Sequence, residues 1–389
     1  MCAGRLVQSD ASRRISLTDP STDQASLHDY VTSSTTSTSA EPSISLLDDI
    51  LPGGLRPGTS RPFNISTRLI WNCAAHDCFK VNNLTLCPTC KAAQYCSRKH
   101  LYADRPNHRS VCAKIKKAYA NLDHSSSNPE RSALWTNGQS DYMGLHQVLV
   151  ENLLKMNTAQ AVTMALQHLL DMLRLQPSDK YGAHDVVPAL FIRLGRDQEA
   201  YNLCHWWATK GHAPDWDWAT TNERYIDTKD ADAFEGVEAF IGDRFHLSNA
   251  VVITLSKLRL VIDLQSLQRA RTFAGPHVPR EILDVIQYHS TLSAITSNEM
   301  FTDCEEYTLL IERLREQVRT LFEAIHKANK HFWPALVEPG DNLQARPTAW
   351  EQGDERQMQL ALQHNYNAWA ETPGAIDAIK GLLERVTRF

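Results

Sequence analysis

The sequence predicts a mainly α-helical protein with one small cysteine- and histidine-rich module and a long helical body. Three observations carry this expectation. Six of the nine cysteines fall between positions 73 and 112. From about residue 142 onward, apolar residues recur at three- and four-residue spacing, the period of an amphipathic helix. Strand-like alternation is nearly missing outside the cysteine-rich module, and no βαβ succession occurs, which argues against a Rossmann or barrel enzyme.

Composition bounds the function. A chain of 389 residues exceeds one domain of about 150 residues. Its 42% hydrophobic and 22% charged residues are ordinary globular usage. A net charge of −5 does not describe a general polyanion binder. No run of about 18 apolar residues exists, so no membrane span is expected. The opening MCAGRLVQSDASRR has no apolar h-region and reads as no secretory signal, which predicts an intracellular location, nucleus or cytoplasm.

Residues 1–62 contain TSSTTSTSA, LPGGLRPG and few aromatics. Such a segment buries too little apolar surface to offset its ordering entropy and reads as a disordered Ser/Thr-rich tail. ISLLDDIL (44–51) is a stray apolar stretch in that tail, or a motif that folds on a partner.

The cysteine-rich module spans 71–120, with its core at 73–112. It carries nine Lys and Arg against Asp77 and Asp104, a local charge of +7. The remainder of the chain is therefore at −12 (−5 minus +7). The polar stretch NLDHSSSNPERS (121–132) reads as the start of a linker that reaches 141. The body, 142–389, then shows helical periodicity at 161–175, 184–195, 197–211, 236–265, 279–295, 307–332, 354–372 and 373–386. The junction Gly195-Arg196-Asp197 reads as a helix stop followed by an acidic helix start. Small residues Ala165, Ala189 and Ala200 sit where antiparallel helices would cross. Around 160–210 the pattern is tetratricopeptide-like.

The chemistry lies in one constellation: Cys73-x4-Cys78-x8-Cys87-x2-Cys90-x5-Cys96-x3-His100-x7-His108-x3-Cys112. A disulfide scaffold suits small secreted chains. In a reducing compartment the clustering points instead to thiolate–metal bonding. Zinc takes four N or S ligands in a tetrahedron. Cys87-Pro88-Thr89-Cys90 is a short knuckle that turns two sulfurs onto one ion. Cys96/His100 and His108/Cys112 are each one helical turn apart and share a face. Eight ligands make two closed four-coordinate sites, hence two structural Zn2+ and no catalytic position. His76 competes with Cys78 as partner of Cys73. Cys2, Cys204 and Cys304 are scattered and read as ordinary thiols.

These residues resemble the MYND-type zinc finger. Cys87, Cys90, Cys96, His108 and Cys112 match that family in type and spacing, and Gln94-Tyr95-Cys96-Ser97 looks like its aromatic-Cys-Ser step. His100 stands where the family usually has cysteine, and the Cys73–Cys78 pair is wider than usual. The family's residue type favours Cys78 over His76. The resemblance implies a cross-brace, with Cys73, Cys78, Cys96 and His100 on one ion and Cys87, Cys90, His108 and Cys112 on the other. With three thiolates per Zn2+, the module's +7 would fall to about +5. So small a module has too little core to fold alone, so the metal supplies folding free energy, and loss of a ligand is expected to unfold it locally with the body intact.

The resemblance also implies function. MYND fingers bind proteins or short, often proline-containing peptides, so an interaction or scaffold protein is expected, with a role in transcriptional regulation. DNA binding through the basic module is the alternative. It is disfavoured because two short helices committed to zinc leave none for the groove. Some MYND fingers sit inside SET-type lysine methyltransferases. The tail ahead of the module and the helices after it lack the cofactor motifs, and Asn107-His108 belongs to the finger, so no enzyme activity is expected. GRDQEAYNLCHWWAT (195–209) and HKANKHFWPALVEP (326–339) are similar to fungal proteins that join such a finger to a tetratricopeptide-like body. No Gly-x-Ser-x-Gly, P-loop or His-Glu-x-x-His motif occurs. His205, Trp206, Trp207, His212, Asp215 and Asp217 read as an aromatic helix end and loop rather than a metal or acid/base site. Trp216 and Trp218 read as loop anchors, with a partner contact as the alternative. Glu305, Glu306, Glu312, Arg315 and Glu316 read as a solvated helix face, although IERLREQVRTLFEAI (311–325) could also pair with another helix.

Overall fold

A computed structural model describes residues 69–126, 138–179, 181–211, 228–229, 231–242, 245–274 and 308–386. The expected tail (1–62), the helix expected at 279–295, and Cys2, His212, Asp215, Trp216, Asp217, Trp218, Cys304, Glu305 and Glu306 lie outside them. The fold is mainly helical. A two-residue hairpin, β1 (Thr85–Leu86) against β2 (Gln94–Tyr95), is antiparallel with Thr85 opposite Tyr95. Helices α1 (Arg98–Ala103) and α2 (Arg105–Ser126) complete the module. No described helix is long and apolar enough to cross a membrane.

The body begins with α3 (Gly138–Leu153), α4 (Ala159–Leu175), α5 (Ala183–Arg193) and α6 (Asp197–Trp206). Each packs on the next, and α2 packs on α3. Helix α4 forms where the sequence places it. Thr158 caps it by accepting the Ala161 N–H, and Val162, Leu166, Leu169 and Leu173 bury one stripe, each contributing about 2 kcal/mol. Helix α5 ends on Gly195 at φ +71°. The Gly195 and Arg196 N–H groups return to the carbonyls of Ile192 and Phe191, a Schellman stop that needs a left-handed residue.

The rest comprises α7 (Glu238–Ile241), α8 (Leu247–Ala274), α9 (Thr308–Ala328), α10 (Phe332–Val337), α11 (Glu355–Glu371) and α12 (Ala375–Val386). Helix α8 is buried on nearly every side between residues 247 and 258, as a central helix must be. It carries Lys257 into that interior. There Nζ donates to the carbonyls of Ala233 (2.8 Å) and Glu235 (2.6 Å), and burial pulls its pKa down to about 8. Helix α11 returns from far along the chain to pack on both α5 and α8, so contacts are not confined to sequence neighbours.

The module's boundary with the body differs from the sequence expectation. Helix α2 runs through Leu122 to Ser126, over the first six residues of the stretch 121–141 read as a linker, and α3 starts at 138, before that stretch ends. Cys112, Ile115, Ala118 and Leu122 form one buried stripe, whereas Asn121, Asp123 and His124 on the same helix are exposed. A second seam joins Ile70 to the start of α4. Ile70 N donates to Asn157 O and its carbonyl accepts from Ala159 N, both at 2.9 Å. The Thr158 hydroxyl donates to Ala92 O. Finger and body share one continuous core.

At this seam His146 on α3 is 4% exposed, edge-on to Tyr142 and to His168 of α4. Burial, reinforced by His168, pulls its pKa down to about 4. The folded state therefore keeps His146 neutral, while an unfolded histidine protonates near pH 6.5. Its stability contribution is intact above pH 6.5 and lost as pH falls toward 4, by roughly 3 kcal/mol at most. Denaturant titrations at stepped pH should show this acid loss in the wild type and a flatter profile in His146→Leu. Equal slopes would exclude His146 as the source.

Candidate metal centre

The eight residues singled out from the sequence come together in two groups. Cys73, Cys78, Cys96 and His100 form the first, and Cys87, Cys90, His108 and Cys112 the second. Within the first, Cys78 Sγ lies 3.7 Å from Cys96 Sγ, and His100 Nδ1 lies 3.5 Å from Cys73 Sγ and 3.3 Å from Cys96 Sγ. Within the second, Cys87 Sγ and Cys112 Sγ are 3.9 Å apart, and His108 Nε2 is 3.5 Å from Cys90 Sγ and 3.3 Å from Cys87 Sγ. These sulfur separations are far too long for disulfides at about 2.05 Å. They match the edges of a tetrahedron around zinc. Bonds of 2.3 Å to sulfur and 2.0–2.1 Å to nitrogen imply about 3.8 Å between sulfurs and about 3.6 Å between sulfur and nitrogen.

Local structure explains the convergence. Lys91 adopts φ +57°, and Cys87 N donates to Ala93 O while Lys91 N donates to Cys87 O, which folds Cys87–Cys90 into a knuckle at the hairpin end. Ser97 caps α1 by accepting His100 N–H, which fixes the turn presenting Cys96 and His100. Pro106 in the first turn of α2 starts the helix that presents His108 and Cys112. Tyr95 braces the two helices, its hydroxyl donating to Asp104 at 2.7 Å and its ring meeting His108 edge-on.

The electrostatics suit a metal. At Cys87 burial pushes the pKa up, but N–H groups of Cys90 and Thr89 outweigh it and hold the thiol below its ordinary value. Burial, aided by the neighbouring thiolates Cys87 and Cys112, pushes Cys90 up to about 12. Three thiolates crowded at one point repel one another, and a divalent cation relieves that repulsion. Burial lowers His108, which favours the neutral imidazole that zinc needs. The donor sets thus fit two Zn2+, each held by four ligands with no open position.

The choice between His76 and Cys78 is resolved by the turn between them. Asp77 takes φ +57°, leaving His76 89% exposed beside the Asp77 carboxylate while Cys78 turns inward. Helix α2, expected to be short, has 22 residues, and its buried stripe faces the body. Cys204 is a buried thiol in the body. His205 lies 3.4 Å from Glu235 rather than in a metal group. One convergence escaped the sequence reading: His184, Asp185 and His246 bring one donor atom each within 4.8 Å of one another.

Residues 72–112 match the family described as the MYND finger. No curated protein and no solved structure matches the chain.

Proposed function

We propose that this chain, with a MYND finger at residues 72–112, is an interaction or scaffold protein that uses the finger to capture a short peptide segment of a partner. The observation that carries the reading is where large apolar side chains remain exposed. Ten do so among the described residues, and Trp71, Phe79, Val81, Leu86 and Tyr102 belong to the module. Phe79 is 82% exposed. Half of the exposed apolar side chains thus lie on a small part of the described chain, and such concentration marks binding surfaces rather than scattered solvent contacts. All nine basic side chains of the module are exposed as well. Exposed apolar side chains on a module of net positive charge favour a proline-containing peptide with acidic flanks.

The closed donor sets supply folding free energy rather than a reaction, and the chain acts by binding and not by methyl transfer. Six metal-holding thiols need a reducing compartment, so the protein works inside the cell, in nucleus or cytoplasm, and a role in transcriptional regulation is consistent with this. The test uses the zinc-loaded full chain and a set of fluorescent proline-containing acidic peptides. Phe79→Ala and Trp71→Ala should weaken capture at least about tenfold while leaving zinc content unchanged. A duplex DNA titration at stepped ionic strength is the counter-test. Strong salt-dependent affinity that is insensitive to Phe79→Ala would favour nucleic acid.

A further inference from the structure

We infer that the helical body holds a third metal site, built by His184, Asp185 and His246, that takes a divalent first-row transition cation such as Zn2+. His184 and Asp185 occupy the first turn of α5, and His246 immediately precedes α8. Packing of these two helices brings the three side chains together although 60 residues of chain separate Asp185 from His246. Asp185 Oδ1 lies 3.7 Å from His184 Nε2 and 3.5 Å from His246 Nε2. Both distances are too long for good hydrogen bonds. They are close to the roughly 3.3 Å that separates two donors on one tetrahedral ion with bonds of 2.0–2.1 Å.

The surroundings orient these donors as metal sites orient theirs. Asp179 accepts the N–H groups of Ala183 (3.0 Å) and His184 (2.7 Å), which anchors its carboxylate at the N-terminus of α5. The same carboxylate lies 2.5 Å from His184 Nδ1, so Nδ1 is engaged and Nε2 is turned toward Asp185 and His246. A carboxylate behind a ligating imidazole fixes its tautomer and raises its basicity. The ring is further clamped by stacking on Trp207, centroid to centroid 4.3 Å. Ser248 hydrogen-bonds Asp185 and steadies the third donor. His364 of α11 lies close enough to interact electrostatically with all three residues.

The two imidazoles are borderline nitrogen donors that favour transition cations over Ca2+ or Mg2+, the carboxylate adds negative charge, and three protein ligands leave a coordination position open. A cavity of about 920 Å³ reaches the site, lined among others by Asp179, Asp185, Arg193, Trp350 and His364. This site differs in kind from the finger, which uses thiolates and is closed.

The two are therefore distinguishable in one experiment on the full chain. After loading with Zn2+ and removal of loosely held ions by gel filtration, elemental analysis should give about three equivalents for the wild type. Asp185→Asn and His246→Gln should each give about two. In Co2+-loaded samples of these variants, the thiolate-to-metal charge-transfer absorption of the finger should keep its wild-type intensity. Circular dichroism separates loss of a site from loss of the fold. Cys90→Ala should lose finger metal and retain the body equivalent, so the site is testable even if the finger assignment fails. A wild type that holds no equivalent beyond those removed by finger mutations would overturn the inference. So would a folded Asp185→Asn that retains the additional equivalent.

Discussion

Cys90→Ala is expected to strip the zinc held by Cys87, Cys90, His108 and Cys112 and to destabilise more than the finger. A structural zinc site contributes about 10 kcal/mol of apparent folding free energy, most of which is lost when one of four ligands is removed. Cys112 begins the stripe that continues through Ile115, Ala118 and Leu122 into the body's core, and Ala92, two residues after Cys90, receives the Thr158 hydroxyl at the head of α4. Collapse of the knuckle therefore frays α2 and loosens the first body helices, contrary to the expectation of a body left intact. Elemental analysis should show at least one equivalent lost, and thermal unfolding monitored at the helical circular dichroism band should start at lower temperature. Undiminished zinc in the variant would refute the ligand role of Cys90. A body transition unmoved by zinc loss would refute the coupling.

Arg193→Ala is expected to be the most damaging single change in the body. The Arg193 side chain is 3% exposed and grips Glu371 of α11 side-on, with Nε 3.0 Å from Oε2 and Nη2 2.8 Å from Oε1. It also donates to Asn157, whose backbone carbonyl holds Ile70. One guanidinium thus joins α5, α11 and the finger seam. Burial pushes the Glu371 pKa up despite the arginine, so without that cation the carboxylate is stranded in a poorly solvated site. Removing one partner of such a pair costs about 3–5 kcal/mol, whereas replacing both by apolar residues of similar volume costs much less. Urea unfolding should rank Arg193→Ala well below the double replacement Arg193→Met/Glu371→Leu. The reverse order would show that the pair contributes packing and little electrostatics.

How much of this was legible in the sequence follows from what kind of constraint each feature obeys. Zinc demands particular atoms at particular intervals, so seven of the eight ligands could be read off residue type and spacing, whereas Cys78 and the sharing of the ligands between two ions came from the family resemblance. The first pair was ambiguous only because a left-handed residue, Asp77, decides which of two neighbours turns inward. Helices α4, α5 and α6 were readable from apolar period and the Gly195 stop. The extent of α2 was not, because Asn121, Asp123 and His124 lie on its exposed side and mask the buried Leu122. Lys257 could not be foreseen in a central helix, since its partners are carbonyls more than twenty residues upstream. The trio His184, Asp185 and His246 exists only through tertiary packing, and no local signal joins residues of α5 to the start of α8.

The 22 residues of α2 make a rod of about 33 Å. One end is built into the zinc cluster and the other lies along the body, with the Ile70 hydrogen bonds acting as a second bolt. Two attachments at different points remove the swivel that a flexible tether would allow. The exposed side chains of the finger, Trp71, Phe79 and Tyr102 among them, are consequently held at a fixed angle to the helices behind it. A ligand long enough to touch both surfaces meets them as a single template and avoids the entropy of aligning two independent parts.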